Sequence, residues 1–230
     1  MKTFQIYYGP VTTEISLWGY DMVIVEPRHV NVEQVRAWKA AGTVVIGYLS
    51  VLETPTWNEA RYVKTRGLRS YRHFPEWDSY LMDIRDLTYQ GILLQEVLDV
   101  ILVKEMDGVF LDTVGDMEEY VAETRLREEM FAAYRDFLQR LKVLAPEAML
   151  IQNRGFDTLP LVKSWLDGVL WEDWRGELYQ DAWVQERLRL LRDVRVFTVS
   201  ASSDPVHEKT SRKLGFTHLT RDTDYLKNPV

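Results

Sequence analysis

The sequence predicts an α/β fold, a single (β/α)₈ TIM barrel over residues 1–230, on three observations. Short continuous apolar runs recur along the chain. The stretches between them carry helical spacing and helix punctuation. Most of the runs end on a polar or charged residue. Continuous apolar runs are what parallel strands buried on both faces require. Strand alternating with helix throughout implies a parallel sheet. A length of 230 residues sits at the small end of the barrel's range.

The expected strands, in order, are Phe4 to Tyr8, Met22 to Val25, Val44 to Leu49, Val109 to Leu111, Met149 to Ile151, Val169 to Trp171, Val196 to Val199 and Phe216 to Leu219. A ninth run, Tyr80 to Ile84, is placed in the long connection between Leu49 and Asp107. Asn31 with Gln34 reads as a capping box, and Gly42 closes that helix. Asp116 is expected to cap a long helix reaching Leu144, with Tyr120, Met130, Phe131, Tyr134, Phe137, Leu138 and Leu141 as its apolar stripe. Asp157 is expected to cap the next helix. Asp204-Pro205 opens the last one, and Gly215 ends it. An open doubly wound sheet is the main alternative, but no Gly-x-Gly-x-x-Gly follows the first strand.

Composition narrows the chemistry. With 46% hydrophobic residues and eight Trp, the chain can bury a large core. A net charge of −7 argues against a nucleic-acid partner, which needs clustered Lys and Arg. The absence of cysteine removes thiolate chemistry and disulfides. No apolar run approaches membrane-spanning length, so no membrane partner is expected. The N-terminus leads straight into a strand without an apolar signal core, so the chain as it stands is expected to be cytoplasmic, or exported if it is a trimmed product. The oligomeric state is left open. His29, His73, His207 and His218 show no paired zinc motif, and no metal or organic cofactor is expected.

Barrel ligands bind at the C-terminal ends of the strands. The residues expected there are Tyr7 or Tyr8, Glu26, Ser50 with Glu53, Asp112, Asn153, Glu172, Ser200 with Asp204, and Arg221 with Asp222. Asp83 and Arg85 end the extra run. Any one such carboxylate reads readily as a helix cap or a solvated rim. The joint pattern says more. Asp107-Gly108-Val109-Phe110-Leu111-Asp112 and Asp167-Gly168-Val169-Leu170-Trp171-Glu172 share one design: Asp-Gly, three apolar residues, carboxylate. Paired carboxylates across a sugar are what glycoside hydrolysis needs, one as proton donor and one as nucleophile or base. Trp171 and Trp174 flank Glu172. The connection from Ser50 to Tyr80 adds Trp57, Tyr62, Tyr71, Phe74 and Trp77, so it is expected to wall one side of the cleft, with Trp57 or Trp77 facing the site. Its Arg61, Arg66, Arg69, Arg72 and His73 read as an anion site or a solvated basic loop.

At these residues the sequence resembles glycoside hydrolase family 114, the endo-α-1,4-polygalactosaminidase-like barrels. The resemblance runs from about Ile6 to Leu219. It rests on Val45-Ile46-Gly47-Tyr48-Leu49-Ser50 with Glu53, on Met82-Asp83-Ile84-Arg85, on Asp107 to Asp112, on Gln152-Asn153 and on Gly168 to Glu172. It implies a barrel hydrolase acting on α-linked galactosamine, with Asp112 as nucleophile and Glu172 as acid/base. Three positions depart from the pattern: Thr113 follows Asp112 where Asn is expected, Leu52 precedes Glu53 where Gly is expected, and Glu26 replaces an Asp.

The expectation is therefore a retaining glycosidase whose carbohydrate substrate is an α-linked glycan, an amino sugar of galactosaminide type among the candidates. Asp112 and Glu172 carry the chemistry. Tyr7, Glu26, Tyr48, Glu53, Asp83, Arg85, Asp116, Asn153, Trp171 and Trp174 bind the sugar. The apolar neighbours Leu170 and Trp171 are expected to help keep Glu172 protonated. Two other readings stand beside this one: a carbohydrate-binding barrel without catalysis, and a metal-assisted hydrolase using Asp112 and Asp116.

Overall fold

The computed structural model describes residues 1–12, 15–222 and 224–228. In chain order its strands are β1 (Phe4–Tyr7), β2 (Met22–Val25), β3 (Val44–Ser50), β4 (Glu53–Pro55), β5 (Ser70–Phe74), β6 (Ser79–Met82), β7 (Gly108–Asp112), β8 (Met149–Asn153), β9 (Gly168–Trp171), β10 (Val196–Ser200) and β11 (Thr217–Thr220). The helices are α1 (Val32–Ala40), α2 (Glu59–Thr65), α3 (Leu87–Glu96), α4 (Asp116–Tyr120), α5 (Thr124–Leu144), α6 (Leu159–Val162), α7 (Ala182–Leu190) and α8 (Pro205–Lys213). Strands β1, β2, β3, β7, β8, β9, β10 and β11 pair in that order, all parallel, into one eight-stranded sheet. This is a nearly closed (β/α)₈ barrel. At its seam side chains join β11 to β1: the Thr217 hydroxyl reaches the Met1 carbonyl at 3.4 Å, and Arg221 Nη1 donates to Gln5 Oε1 at 2.9 Å.

The strand alternation sorts the core into two shells. Phe4, Ile6, Met22, Ile24, Ile46, Phe110, Ile151, Leu170, Phe197 and Val199 fill the barrel interior. Val23, Val45, Val109, Leu150 and Val169 point outward against Val35, Trp38, Leu93, Phe137, Leu138 and Leu141 of the helices. Both shells are apolar, which is why the strands read as continuous apolar runs rather than alternating ones.

The repeated Asp-Gly has a structural use at the bottom of the barrel. Asp107 Oδ2 accepts the Val45 N–H of β3 at 2.8 Å and its other oxygen pairs with Lys39 at 2.7 Å. Asp167 Oδ2 accepts the Leu150 N–H of β8 at 2.9 Å and Lys142 at 3.2 Å. Each carboxylate thus satisfies the N–H of the second residue of the neighbouring barrel strand. Gly108 follows because a Cβ there would meet the Met149 carbonyl oxygen at 2.0 Å.

The Tyr80–Ile84 run does lie in the long connection: β6 is the middle strand of a small antiparallel sheet, ordered β4-β6-β5. The capping box of α1 and the Asp204 cap of α8 form as the sequence predicts, with Gly42 and Gly215 in left-handed conformations. Two helix starts differ. The long helix begins at Thr124 rather than Asp116, because the chain breaks at the extended, buried Val121. The Asp116 carboxyl makes no cap and faces a cavity instead. Asp157 sits inside a 3-10 turn, Phe156–Thr158, and caps nothing with its side chain. Among the described residues, no helix is long and apolar enough to cross a membrane.

Candidate active site

The inward-facing parity of the strands fixes what stands in the top layer of the barrel. Phe4 and Ile6 lead to Tyr8, Met22 and Ile24 to Glu26, and Ile46 to Tyr48. Phe110 leads to Asp112, Ile151 to Asn153 and Leu170 to Glu172. Polar residues are tolerated there because the layer opens onto a cavity of about 510 Å³ lined by Asp112, Asn153 and Glu172.

Asn153 stands between the two carboxylates. Its Nδ2 donates to Asp112 Oδ1 at 2.8 Å and to Glu172 Oε2 at 3.0 Å. Both bonds end on one nitrogen, so those two oxygens are separated by at most 2.8 Å plus 3.0 Å. The outer oxygens each receive a phenol: Tyr48 donates to Asp112 Oδ2 at 2.9 Å, and Tyr225 donates to Glu172 Oε1. Tyr8 completes the layer, its ring 4.7 Å from Tyr48 and 5.3 Å from Tyr225. Burial, followed by the charge of Asp112, pushes the Glu172 carboxyl above the usual carboxylate range; the bonds from Tyr225 and Asn153 pull the other way.

The chain turns sharply after each of the three central residues. Thr113, Arg154 and Asp173 all adopt positive φ, at 63°, 51° and 55°. Left-handed backbone costs a non-glycine residue about 1–2 kcal/mol, and such strain gathers at functional sites. Thr113 is the least suited, being β-branched. Its hydroxyl compensates by accepting from the Leu52 N–H at 2.9 Å and donating to the Asp112 carbonyl at 2.7 Å. The opposite side of β8 is fixed by Gln152, which accepts from Tyr134 and donates to the Gly155 carbonyl.

The cavity is strongly acidic. Beyond the central pair it is lined by Asp116, Glu118, Glu119 and Asp173, against Arg154 and Arg187. Burial and the neighbouring Glu53 push Asp116 up to about 9. Burial pushes Glu118 up to about 7, although it accepts the Asp157 N–H at 2.7 Å. The aromatic wall is Phe156, Trp171 and Trp183, with Arg187 stacked over Phe156 at 5.3 Å and Trp183 at 5.2 Å. Among the described residues, no three His, Asp or Glu side chains are grouped so that they could hold a metal ion.

The other residues expected at the site divide. Glu26 reaches the top layer but is bound by Arg28, through its backbone N–H and Nη1, both at 3.1 Å. Glu53 lies behind Asp116 and accepts from Ser79. Trp171 forms part of the cavity wall. Trp174 packs behind it, ring to ring at 4.9 Å, with its indole N–H on the His207 carbonyl. Tyr7 is not in the cavity: alternation turns it outward, with its hydroxyl on the Pro10 carbonyl at 3.1 Å. Asp83 and Arg85 do not line it either. They pair with each other at 2.8 Å, and Arg85 continues to Tyr71 and Glu129.

The loop from Ser50 to Tyr80 corrects the expectation in another way. It contributes no residue to the cavity lining. Trp57 is 58% exposed and lies over Arg28, and Trp77 is 69% exposed. Tyr62 stacks on Tyr80 and Phe74 packs on Tyr120, and the loop's arginines are spoken for: Arg61 is buried against Glu96, while Arg66, Arg69 and Arg72 lie over Tyr62, Tyr71 and Tyr120. Sequence reasoning missed Tyr225, Glu118, Phe156 and Trp183. The strand-end rule points to none of them, because each lies on a connection or terminal segment.

Comparison with known proteins accords with this architecture. The family model for glycoside-hydrolase family GH114 matches residues 1–199. The glycoside hydrolase domain of PelA from Pseudomonas aeruginosa is 21% identical, covering 98% of this chain and 96% of that one, at a TM-score of 0.81. Aspergillus fumigatus Ega3, solved in complex with galactosamine, is 14% identical over 99% and 93% of the two chains, at 0.75. The α-galactosidase TtGalA from Thermus thermophilus is 14% identical over 99% and 59%, at 0.62. No curated protein matches the chain in sequence.

Proposed function

The chain belongs to glycoside-hydrolase family GH114, and from that premise we propose that it is a retaining glycosidase cleaving an α-linked galactosamine-type glycan, with Asp112 as nucleophile and Glu172 as acid/base. The observation that carries the reading is the shared donor Asn153, which brings the two carboxylates together, their nearest oxygens no more than 2.8 Å plus 3.0 Å apart. Retaining glycosidases place them about 5–5.5 Å apart, while inverting ones leave about 6.5–9.5 Å for a water.

In the first half-reaction Glu172 gives its proton to the leaving oxygen as Asp112 Oδ1 or Oδ2 attacks the anomeric carbon. In the second, Glu172 takes a proton from the water that releases the sugar. Tyr48 and Asn153 donate to Asp112 and orient it for attack. The raised Glu172 keeps its proton at a pH where an ordinary carboxyl has lost it. The wall carboxylates of Glu119 and Asp173 favour a cationic sugar, which an amino sugar is at neutral pH, while the raised Asp116 offers a hydrogen-bond donor. The structural neighbour Ega3, solved with galactosamine, supports the same choice. The test is hydrolysis of α-1,4-linked galactosamine oligomers, with the anomer of the first product read by NMR. Retained configuration is expected. An inverted product would sink the nucleophile assignment, and binding without cleavage would favour a carbohydrate-binding barrel.

A further inference from the structure

We propose that Tyr225 is a positioning residue for Glu172, delivered by a C-terminal segment that completes the site across the barrel seam. The inference rests on the proposed acid/base role of Glu172. Tyr225 lies well beyond residues 1–199, the part of the chain that the family model matches.

The segment after β11 crosses the one place where the barrel lacks a backbone ladder among the described residues. It is held by main-chain and side-chain bonds to β10 and to the β1 side of the seam. The Arg221 N–H donates to the Ser200 carbonyl of β10 at 2.8 Å, and the Tyr8 N–H donates to the Tyr225 carbonyl at 2.8 Å. Arg221 Nη1 reaches Gln5 of β1, and Nη2 reaches the Lys227 carbonyl at 2.6 Å. The tail also runs close over Gly9, where a Cβ would meet the Leu226 carbonyl at 3.0 Å. These bonds leave the Tyr225 ring against Tyr8 and its hydroxyl donating to Glu172 Oε1.

That hydroxyl has a distinct job. Glu172 is faced by Asp112 from β7, Tyr8 after β1, Asn153 from β8, Asp173 from its own loop and Tyr225 from the tail. Asp112 and Asp173 disfavour its charged form. Tyr225 and Asn153 stabilise the carboxylate, and Asn153 is divided between two acceptors. Tyr225 is therefore the donor dedicated to Glu172. It holds Oε1 so that Oε2 is the oxygen left toward Asp112 and the cavity, and it supports the carboxylate required of the base in the second half-reaction.

The test is Tyr225→Phe in the full chain, which keeps the ring packing and removes one hydrogen bond. The Glu172 carboxyl is titrated by NMR in ¹³C-glutamate-labelled protein, its resonance assigned with Glu172→Gln. The midpoint is expected to rise by about one pH unit or more, as the loss of a charge-assisted bond to a half-buried carboxylate implies. On a cleaved substrate, the alkaline limb of kcat/KM should move up by the same amount. A purely structural role would instead lower activity at every pH and leave the midpoint in place. An unmoved or lowered midpoint overturns the proposal, whether or not the protein hydrolyses glycans. A raised midpoint in a protein without hydrolytic activity would support the positioning role and count against the glycosidase reading.

Discussion

Asp112 and Glu172 share one hydrogen-bond donor, Asn153 Nδ2, at 2.8 and 3.0 Å. Two half-buried carboxylates this close cannot both ionise without cost, so one is driven to hold a proton. Glu172 is the one pushed up. The amide fixes their spacing and keeps both carboxyl groups facing one point.

Asn153→Ala should therefore cost more than one hydrogen bond. It releases both carboxylates at once, and misplacement of reacting groups by about 1 Å can cost roughly 100-fold in rate. A fall of about that size in kcat, with KM changed far less, is expected in steady-state kinetics. A variant with wild-type kcat would remove Asn153 from the site's working parts.

Asp112→Asn should abolish turnover while the fold and much of the affinity persist, since the amide is nearly isosteric and a poor nucleophile. Glu172→Gln should be worst with poor leaving groups, which depend on proton donation. Comparing an activated aryl glycoside with a natural oligomer checks both variants. Because the acid must carry its proton, kcat/KM should fall as pH rises through the raised Glu172 value, by about tenfold per unit above it.

Asp116 links the cavity to stability. Its carboxyl is held up to about 9 in the folded protein, against an ordinary 3.8. The folded state thus binds more protons than the unfolded state between those values, so stability should decline as pH rises across that window. One such group contributes a slope of at most about 1.4 kcal/mol per pH unit. Asp116→Asn should flatten the slope and stabilise the protein above pH 7 in urea titrations at several pH values. An unchanged slope would refute the assignment.

Glu96 works in the opposite direction. Burial alone would raise it, but Arg61 and Arg28 hold it down to about 2. Its stabilising contribution should be present above the ordinary 4.5 and be lost as pH falls through about 2. Glu96→Gln leaves the buried Arg61 without its counter-charge. A loss of about 3–5 kcal/mol at neutral pH is expected, measured by chemical denaturation.

Trp183→Ala should raise KM by about tenfold, roughly 1.4 kcal/mol of binding, because its ring forms part of the cavity wall. Trp57→Ala and Trp77→Ala should leave KM unchanged, since neither ring lines the cavity. The reverse pattern would restore the Ser50 to Tyr80 loop as the substrate wall.

The sequence alone determined the eight strands, some of the helices between them and the three strand-end residues that meet at the mouth. It could do so because parallel barrel strands are buried on both faces and mark themselves as apolar runs, and because a polar residue ending such a run has only the mouth to occupy. Asp112, Asn153 and Glu172 were legible for that reason. Tertiary structure decided the rest. Parity relative to the barrel axis turned Tyr8 inward and Tyr7 outward, although the two are neighbours in an unbroken aromatic pair. Packing around the inserted sheet paired Asp83 with Arg85 and spent the loop's arginines on Glu96 and on tyrosine rings. The path of the tail over the seam brought Tyr225 to Glu172 across 53 residues of sequence. Strand periodicity is a local property written in neighbouring residues, whereas these contacts depend on how separate segments meet in space, which no local pattern encodes.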